Sequence, residues 1–128
     1  MEQPVTVNFD TDEQGRRIFA ITTKHGSLDA TFRPEIAWFC IANVDVERRF
    51  RGRGTAKMLL EQSIKTAKEN EAALMYSAIT SRECLDAMTT VFGLEAIKVT
   101  EQGTYTPDGE VDRHDTSAAL WLILDEQA

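Results

Sequence analysis

The spacing of apolar positions along the chain changes near residue 55, and this change marks the stretch from Ile36 to Lys68. Residues 36–42 form a nearly continuous apolar run with aromatic and β-branched members, which is typical of a strand buried on both faces of a sheet. From Thr55 the apolar residues recur at steps of three and four, which predicts an amphipathic helix. The pattern therefore predicts a strand, a short polar connection and a helix.

Four strands are predicted before this connection. Three segments rich in alternating or β-branched residues precede the apolar run, and polar turns separate them. The predicted strands cover residues 5–9, 17–23, 28–32 and 36–42.

The second half of the chain predicts a parallel strand, a second helix and two final strands. An apolar run at 72–79 predicts a strand parallel to the one at 36–42, reached by a crossover through the helix. A capping-box pattern at 80–83 opens a helix that Gly93 can close, and residues 94–99 and 118–124 predict two strands, with Trp121 in the core. The expected fold is α/β with a mixed sheet, in the order β-β-β-β-α-β-α-β-β.

Length and composition predict one soluble domain over residues 1–128. The chain is 42% apolar and 27% charged, it has no apolar run long enough to cross a membrane, and it has no secretory leader pattern. We therefore expect a cytoplasmic protein. Cys40 and Cys84 have neither metal-ligand spacing nor a disulfide framework, so we expect both to be reduced packing residues and expect no metal site.

The connection before the helix concentrates positive charge. Residues 48–53 contain four arginines and no acid, and because they contribute +4 to a total of −7, the remainder of the chain carries −11. A helix start offers unpaired backbone N–H groups to an anion, and Gly52 and Gly54 allow a ligand to approach them closely. Arginine is suited to phosphate oxygens. This local charge favours a phosphate site, whereas a nucleic-acid binder would have a wider basic face.

The spacing of the glycines selects among phosphate sites. No P-loop string is present, and a dinucleotide fingerprint would need a third glycine at Lys57. The string Arg49-x-x-Gly52-x-Gly54, with the apolar lead-in Val44-Asp45-Val46, resembles the acetyl-CoA signature of the GNAT superfamily of N-acetyltransferases. The predicted order of strands and helices is similar to that superfamily over nearly the whole chain.

This resemblance implies an activity and a set of site residues. The activity is transfer of an acetyl group from the cosubstrate acetyl-CoA to a primary amine, by direct attack in a ternary complex. Backbone N–H groups of the glycine loop would hold the pyrophosphate of the cofactor, and the strand before the loop would bind the thioester carbonyl. The implied cofactor-binding residues are Val44, Val46, Arg49, Arg51, Gly52, Arg53, Gly54 and Thr55.

Two departures from the superfamily bear on the acceptor and on catalysis. The two helices that members usually insert after the first strand are absent, which implies an open acceptor side and makes a protein lysine one candidate acceptor. The acidic segment 100–117 is a candidate replacement wall. The position that often carries an acidic tyrosine holds Thr89, and the position of the usual glutamate base holds Trp38.

Three interpretations follow for the acid: another residue donates the proton, the thiolate leaves without help, or the protein does not catalyse. For the acid, Tyr76, Tyr105 and Ser77 are the alternatives. For the base, Asp45 is the first candidate, with Glu35 and His25 as alternatives.

Three functions are consistent with the sequence. The first is the acetyltransferase, and the second is a catalytically silent acyl-CoA-binding or protein-interaction module on the same fold. A nucleic-acid binder that uses the four arginines is the third, which the charge distribution disfavours. Superfamily members are often dimers, so a homodimer is a further expectation.

Overall fold

Within the described residues, seven strands and two helices follow one another in the predicted order. The computed structural model of the chain describes residues 5–79, 82–99 and 118–124. The elements are β1 (Thr6–Thr11), β2 (Arg17–Thr23), β3 (Gly26–Arg33), β4 (Trp38–Val46), α1 (Thr55–Glu69), β5 (Leu74–Ile79), α2 (Arg82–Phe92), β6 (Ile97–Val99) and β7 (Ala118–Ile123).

All seven strands belong to one mixed sheet with the strand order β1-β2-β3-β4-β5-β7-β6. The first four strands pair antiparallel in sequence order, β5 joins β4 in parallel, and β7 lies antiparallel between β5 and β6. The predicted parallel pair on either side of α1 is confirmed.

Strands β4 and β5 separate towards their carboxyl ends. Their pairing runs from Trp38 opposite Leu74 to Ile41 opposite Ser77, whereas β4 continues to Val46. The register between β3 and β4 shifts next to Ala42, and such a bulge bends a strand away from its neighbour. The result is a gap between two parallel strands, beside the start of α1.

The core lies between the sheet and the two helices. Helix α1 packs against β2, β3, β4 and α2, and its apolar stripe buries Leu59, Leu60 and Ala67. Alternate residues of the strands face these helices and are buried, as expected for a sheet covered on one side. The largest fully buried apolar side chains are Phe39, Ile21, Leu28, Leu59, Leu60, Met75, Met88 and Leu120.

The prediction that residues 36–42 form a strand buried on both faces is wrong in two respects. Ile36 lies in the turn before β4 and is 41% exposed, because Ala37 takes a left-handed conformation (φ 57°) and β4 begins only at Trp38. Only the side of β4 that carries Phe39 and Ile41 is fully buried. The side that carries Cys40 is half-buried, since no helix in the described part of the chain covers it.

The predicted last two strands also need correction. Residues Leu94–Ala96 form a 3₁₀ turn, so β6 is limited to three residues that follow it. Trp121 is 38% exposed rather than part of the core, because the core side of β7 is taken by its neighbour Leu120. Tyr105 and the acidic segment 100–117 lie outside the described residues. Within the described residues, no helix is long and apolar enough to cross a membrane.

The half-buried position of Cys40 has a consequence for its reactivity. Burial raises the pKa of the Cys40 thiol above its ordinary value, and the charge of Arg33 partly offsets the increase. Less thiolate is therefore present at neutral pH than in an unfolded chain. We expect alkylation of Cys40 by iodoacetamide to show a pH midpoint above that of the unfolded protein, and Arg33→Gln to move it further upward. Peptide mapping by mass spectrometry across pH measures this midpoint, which restricted access alone would not shift.

Candidate functional site

A cavity of about 400 Å³ lies at the carboxyl end of β4. Three parts of the chain form its walls: the end of β4, the loop with the first turns of α1, and one side of α2. Its lining consists of Val44, Asp45, Val46, Phe50, Arg51, Gly52, Gly54, Thr55, Ala56, Lys57, Leu60, Cys84, Asp86, Ala87 and Thr90.

The two glycines of the loop are required by its backbone. Gly52 and Gly54 have φ values of 79° and 82°, in the left-handed region that other residues rarely adopt. A Cβ atom built on either glycine would meet no atom within 4 Å, so it would project into open space. The loop therefore leaves its backbone accessible to a ligand.

The start of α1 is not capped by a side chain. Gly54 occupies the N-cap position, and because glycine has no side chain it cannot accept hydrogen bonds from the first N–H groups of the helix. The first backbone hydrogen bond of α1 runs from the N–H of Met58 to the carbonyl oxygen of Gly54. The N–H groups of residues 55–57 thus open towards the cavity end of the helix, where the helix dipole favours an anion. No acidic residue lies in the first turn of α1 to compete for them.

The last residues of β4 direct backbone N–H groups away from β3. The Nε of Arg51 donates to the carbonyl oxygen of Val46 at 3.2 Å, so this carbonyl points towards the loop. The N–H and C=O of one strand residue share an edge, and the edge alternates along the strand. The N–H groups of Val44 and Val46 therefore face the gap between β4 and β5.

Contacts from the turn between β2 and β3 support the loop. The His25 ring stacks on Phe50 with a centroid distance of 3.3 Å and an interplanar angle of 7°, and His25 Nδ1 lies 3.1 Å from Glu47 Oε2. The Arg53 guanidinium lies 5.3 Å from the centroid of the Phe50 ring. His25 is therefore placed as a support of the loop, and it does not line the cavity.

Gly26 allows α1 to begin close to the sheet. A Cβ at this position would lie 3.0 Å from the Asp45 carbonyl oxygen, 3.0 Å from Thr55 Cγ2 and 3.2 Å from Leu59 Cδ1. The absence of a side chain at Gly26 thus sets the distance between the first turn of α1 and β4. Both elements line the cavity.

The structure brings together most, but not all, of the site residues that the sequence suggests. Six of the eight suggested cofactor-binding residues line the cavity, and Asp45 lies among them. Arg49 and Arg53 are exposed and are not part of the lining. The six are Val44, Val46, Arg51, Gly52, Gly54 and Thr55.

The candidate acids that belong to the described residues, Tyr76 and Ser77, do not line this cavity. Tyr76 is half-buried on β5, where its ring meets the edge of Trp121 at 5.6 Å, and Ser77 is buried with its hydroxyl donating to the Ala78 carbonyl. Thr89 is half-buried and does not line the cavity. Tyr105 lies outside the described residues.

One wall of the cavity was missed by sequence reasoning. Helix α2 contributes Cys84, Asp86, Ala87 and Thr90, and the Thr90 hydroxyl donates to the Asp86 carbonyl at 2.8 Å. The signal in the sequence was the spacing of residues 84, 87 and 90, which share one side of a helix. Within the described residues, no group of three or more potential ligands is arranged to hold a metal ion.

Comparison with solved structures identifies the fold. An acetyltransferase from Bacillus subtilis, solved in complex with CoA, has 10% sequence identity and a TM-score of 0.65, and the match covers 96% of this chain and 99% of that chain. A GNAT family acetyltransferase from Elizabethkingia anophelis with acetyl-CoA bound has 11% identity and a TM-score of 0.61, covering 96% and 100%.

A third similar structure is a nourseothricin acetyltransferase, with 11% identity, a TM-score of 0.56 and coverage of 96% of this chain and 86% of that chain. No protein-family model matches the sequence, and no curated protein is significantly similar to it. At these identities the likeness concerns the fold. The chain has the fold of GNAT acetyltransferases, as its sequence predicts.

Proposed function

We propose that this chain is an N-acetyltransferase that transfers the acetyl group of acetyl-CoA to a primary amine. The observation that carries the proposal is the cavity at the start of α1, where an uncapped helix and two left-handed glycines open onto the end of a separating strand pair. The similarity of the fold to acetyltransferases solved with CoA or acetyl-CoA supports the same interpretation.

The residues of the cavity fit acetyl-CoA. The pyrophosphate would lie against the backbone of Gly52, Gly54 and Thr55, because N–H groups at a helix start are suited to phosphate oxygens. Arg51 is held in place by its bond to Val46, so its remaining guanidinium nitrogens can add charge-assisted donors. The pantetheine arm would enter the gap between β4 and β5, beside the N–H groups of Val44 and Val46.

The reaction would need three things from the protein. Acetyl-CoA would supply the acetyl group as a thioester: the C–N bond forms as the C–S bond breaks, and the nitrogen loses one proton while the thiolate gains one, so that the products are an amide and a thiol. The Val44 or Val46 N–H would bind the thioester carbonyl oxygen and stabilise the negative charge that develops on it. Asp45, which is exposed at the edge of the cavity, is our candidate to accept the proton of the amine.

The proton donor for the thiol is the least constrained role. Tyr76 lies one residue before the end of the part of β5 that pairs with β4 and is our first candidate, with Tyr105 as the second. The backbone N–H of Val44 or Val46 and the orientation of the two bound reactants would supply the rest of the rate enhancement.

These assignments predict the behaviour of two conservative variants. Asp45→Asn and Tyr76→Phe should each lower kcat by about 100-fold, the usual size of a general acid or base effect, and leave acetyl-CoA affinity unchanged. Steady-state thiol release at saturating acetyl-CoA measures this effect. Asp10→Asn is the matched control for Asp45, since Asp10 is also an exposed acid but lies on β1, three strands from β4. Equal rates in Asp45→Asn and Asp10→Asn would remove Asp45 from the mechanism.

For the acceptor, we propose a lysine of a protein. Within the described residues no helix covers the second face of the sheet, so a large partner can approach the gap between β4 and β5. A small amine would need no such access.

One observation favours a second candidate function, a catalytically silent acyl-CoA-binding module. Neither Thr89 nor Tyr76 lines the cavity, so neither the position that often carries the acidic tyrosine nor the one described candidate tyrosine places a hydroxyl in it. One experiment separates the two functions: titration calorimetry with acetyl-CoA, followed by thiol release over a panel of primary amines and lysine-containing peptides. Acetylated product establishes the enzyme, whereas binding without product for any acceptor establishes the module.

A further inference from the structure

The face of the sheet opposite the helices carries an apolar patch. The strand register places Trp38 beside Leu74 and Ile123, and Cys40 beside Tyr76 and Trp121. The Trp121 ring meets those of Trp38 and Tyr76 edge-on, each with a centroid distance of 5.6 Å. We call Trp38, Tyr76, Trp121 and Ile123 the aromatic patch.

The aromatic patch is accessible. Trp121 is 38% exposed and Ile123 is 44% exposed, although both are large apolar residues, and both lie on β7, next to the edge strand β6. An accessible cluster of this kind is typical of a surface that binds a partner.

The same face carries two acidic residues on β3 and β4, beyond the end of the aromatic patch. The register places Asp29 and Asp45 on it, because their neighbours Leu28 and Val46 are buried towards the helices. Both aspartates are exposed. The charge of Arg33 on this face is countered by Glu35, which accepts a hydrogen bond from its Nε at 3.0 Å. A cationic partner therefore matches this face.

The aromatic patch and the acidic residues flank the gap between β4 and β5. Tyr76 is three residues before the end of β5, about 10 Å along the strand, and Asp45 lies on the strand across the gap. An extended peptide of five or six residues spans about 17–20 Å. One short segment can thus contact the aromatic patch, cross the gap and reach Asp45.

We propose that this face docks the acceptor, and that the acceptor is a protein segment with an apolar residue a few positions from the reacting lysine. The apolar side chain lies on the aromatic patch, the lysine enters the gap, and further cations of the segment lie against Asp29 and Asp45. This inference rests on the proposed acetyltransferase function and specifies the class of its acceptor.

Charge argues against another part of the same chain as the occupant. Residues 100–117 contain Glu101, Asp108, Glu110, Asp112 and Asp115 and few apolar residues, so their composition matches neither the acidic residues nor the apolar cluster. A second copy of the chain would bring the same two aspartates to the interface, and like charges would oppose each other there.

Synthetic peptides test the docking. Each peptide has blocked ends and one lysine in a Gly/Ser frame, is made with and without one arginine, and carries either a leucine or a serine at positions two to four residues from the lysine. For each, kcat/KM is measured by thiol release and divided by the value for a small alkylamine. Wild-type protein should prefer the best leucine peptide over its serine counterpart by about tenfold, the effect of burying one leucine side chain.

Substitutions in the aromatic patch test whether this patch causes the preference for leucine peptides. Ile123→Ser and Trp121→Ser should each reduce the leucine preference to about onefold. Val7→Ser is the matched control, because Val7 is 37% exposed on β1 and its partner Ile21 is buried on the helix side of the sheet. Asp29→Asn should lower kcat/KM for peptides with arginine more than for peptides without it. The acetyl-CoA affinity of every variant is measured in parallel.

The outcomes separate this inference from the proposed function. Acetylation of all amines without a leucine preference, or a preference that survives both patch variants, would overturn the docking and leave the acetyltransferase intact. Sedimentation of a wild-type dimer that Ile123→Ser dissociates would assign the face to a second copy and would also overturn it. Acetyl-CoA binding without acetylation of any acceptor would overturn both proposals.

Discussion

Gly54→Trp is expected to abolish measurable acetyl-CoA binding. Gly54 is the N-cap of α1 and lines the cavity, so an indole at this position would occupy the space that we assign to the pyrophosphate. A left-handed φ of 82° adds strain of about 1–2 kcal/mol for any residue with a Cβ. We expect a loss of affinity of at least about 100-fold, or ~2.7 kcal/mol, by titration calorimetry.

Gly15→Trp separates the filling of the cavity from backbone strain. Gly15 also has a φ of 82° and no atom within 4 Å of its Cβ position, but it lies in the turn between β1 and β2, away from the cavity. This variant should lose a similar amount of unfolding free energy and bind acetyl-CoA like the wild type. Equal losses of affinity in the two variants would mean that global stability, and not the cavity, determines the result.

Gly26→Ala is expected to destabilise the fold and weaken acetyl-CoA binding together. The added methyl group would lie 3.0 Å from the Asp45 carbonyl oxygen and from Thr55 Cγ2, closer than a carbon atom can sit without displacement. Overpacking of this kind costs about 1–3 kcal/mol. Because the displaced groups belong to β4 and α1, which form two walls of the cavity, we expect affinity to fall about tenfold as well.

Thr55→Ser provides the test of this geometric explanation. It removes the Cγ2 atom that the new methyl group would meet and keeps the hydroxyl of the first residue of α1. The double variant Gly26→Ala, Thr55→Ser should recover part of the unfolding free energy, measured by urea denaturation, but not all of it, because the contact with the Asp45 carbonyl remains. Additive effects of the two substitutions would exclude the contact as the cause.

The order of the elements could be predicted because each one has its own local signal. The change from apolar run to helical spacing around residues 36–55, the glycine loop and the close of α2 at Gly93 are all encoded within a few residues. The loop at Gly52 and Gly54 was predicted for the right physical reason, since both glycines have left-handed backbones and open surroundings.

Burial across the sheet could not be predicted in the same way. The apolar run at 36–42 indicates a strand, but whether the side that carries Trp38 and Cys40 is covered depends on elements elsewhere in the chain. The same holds for Trp121, whose aromatic character suggested the core and whose strand neighbour Leu120 occupies it. The close approach at Gly26 is also invisible in sequence, because it depends on where α1 crosses the sheet.

Only part of the lining of the candidate site could be predicted from the sequence. The glycine signature indicates the loop and the end of β4, whereas the wall formed by α2 has no recognisable motif and depends on the packing of α2 against α1. The catalytic groups stay predictions, since the residue types that usually serve are replaced by Thr89 and Trp38. Substitution kinetics at Asp45 and Tyr76 will decide them.

We propose that backbone N–H groups of the glycine loop and of the end of β4 hold acetyl-CoA. Titration of ¹⁵N-labelled wild-type protein with acetyl-CoA, followed by two-dimensional NMR, tests it residue by residue. We expect saturable shifts of the amide signals of Val44, Val46, Gly52, Gly54 and Thr55, and an unchanged Gly15 signal. Unchanged loop signals at saturating acetyl-CoA, or shifts confined to another part of the sheet, would contradict the account.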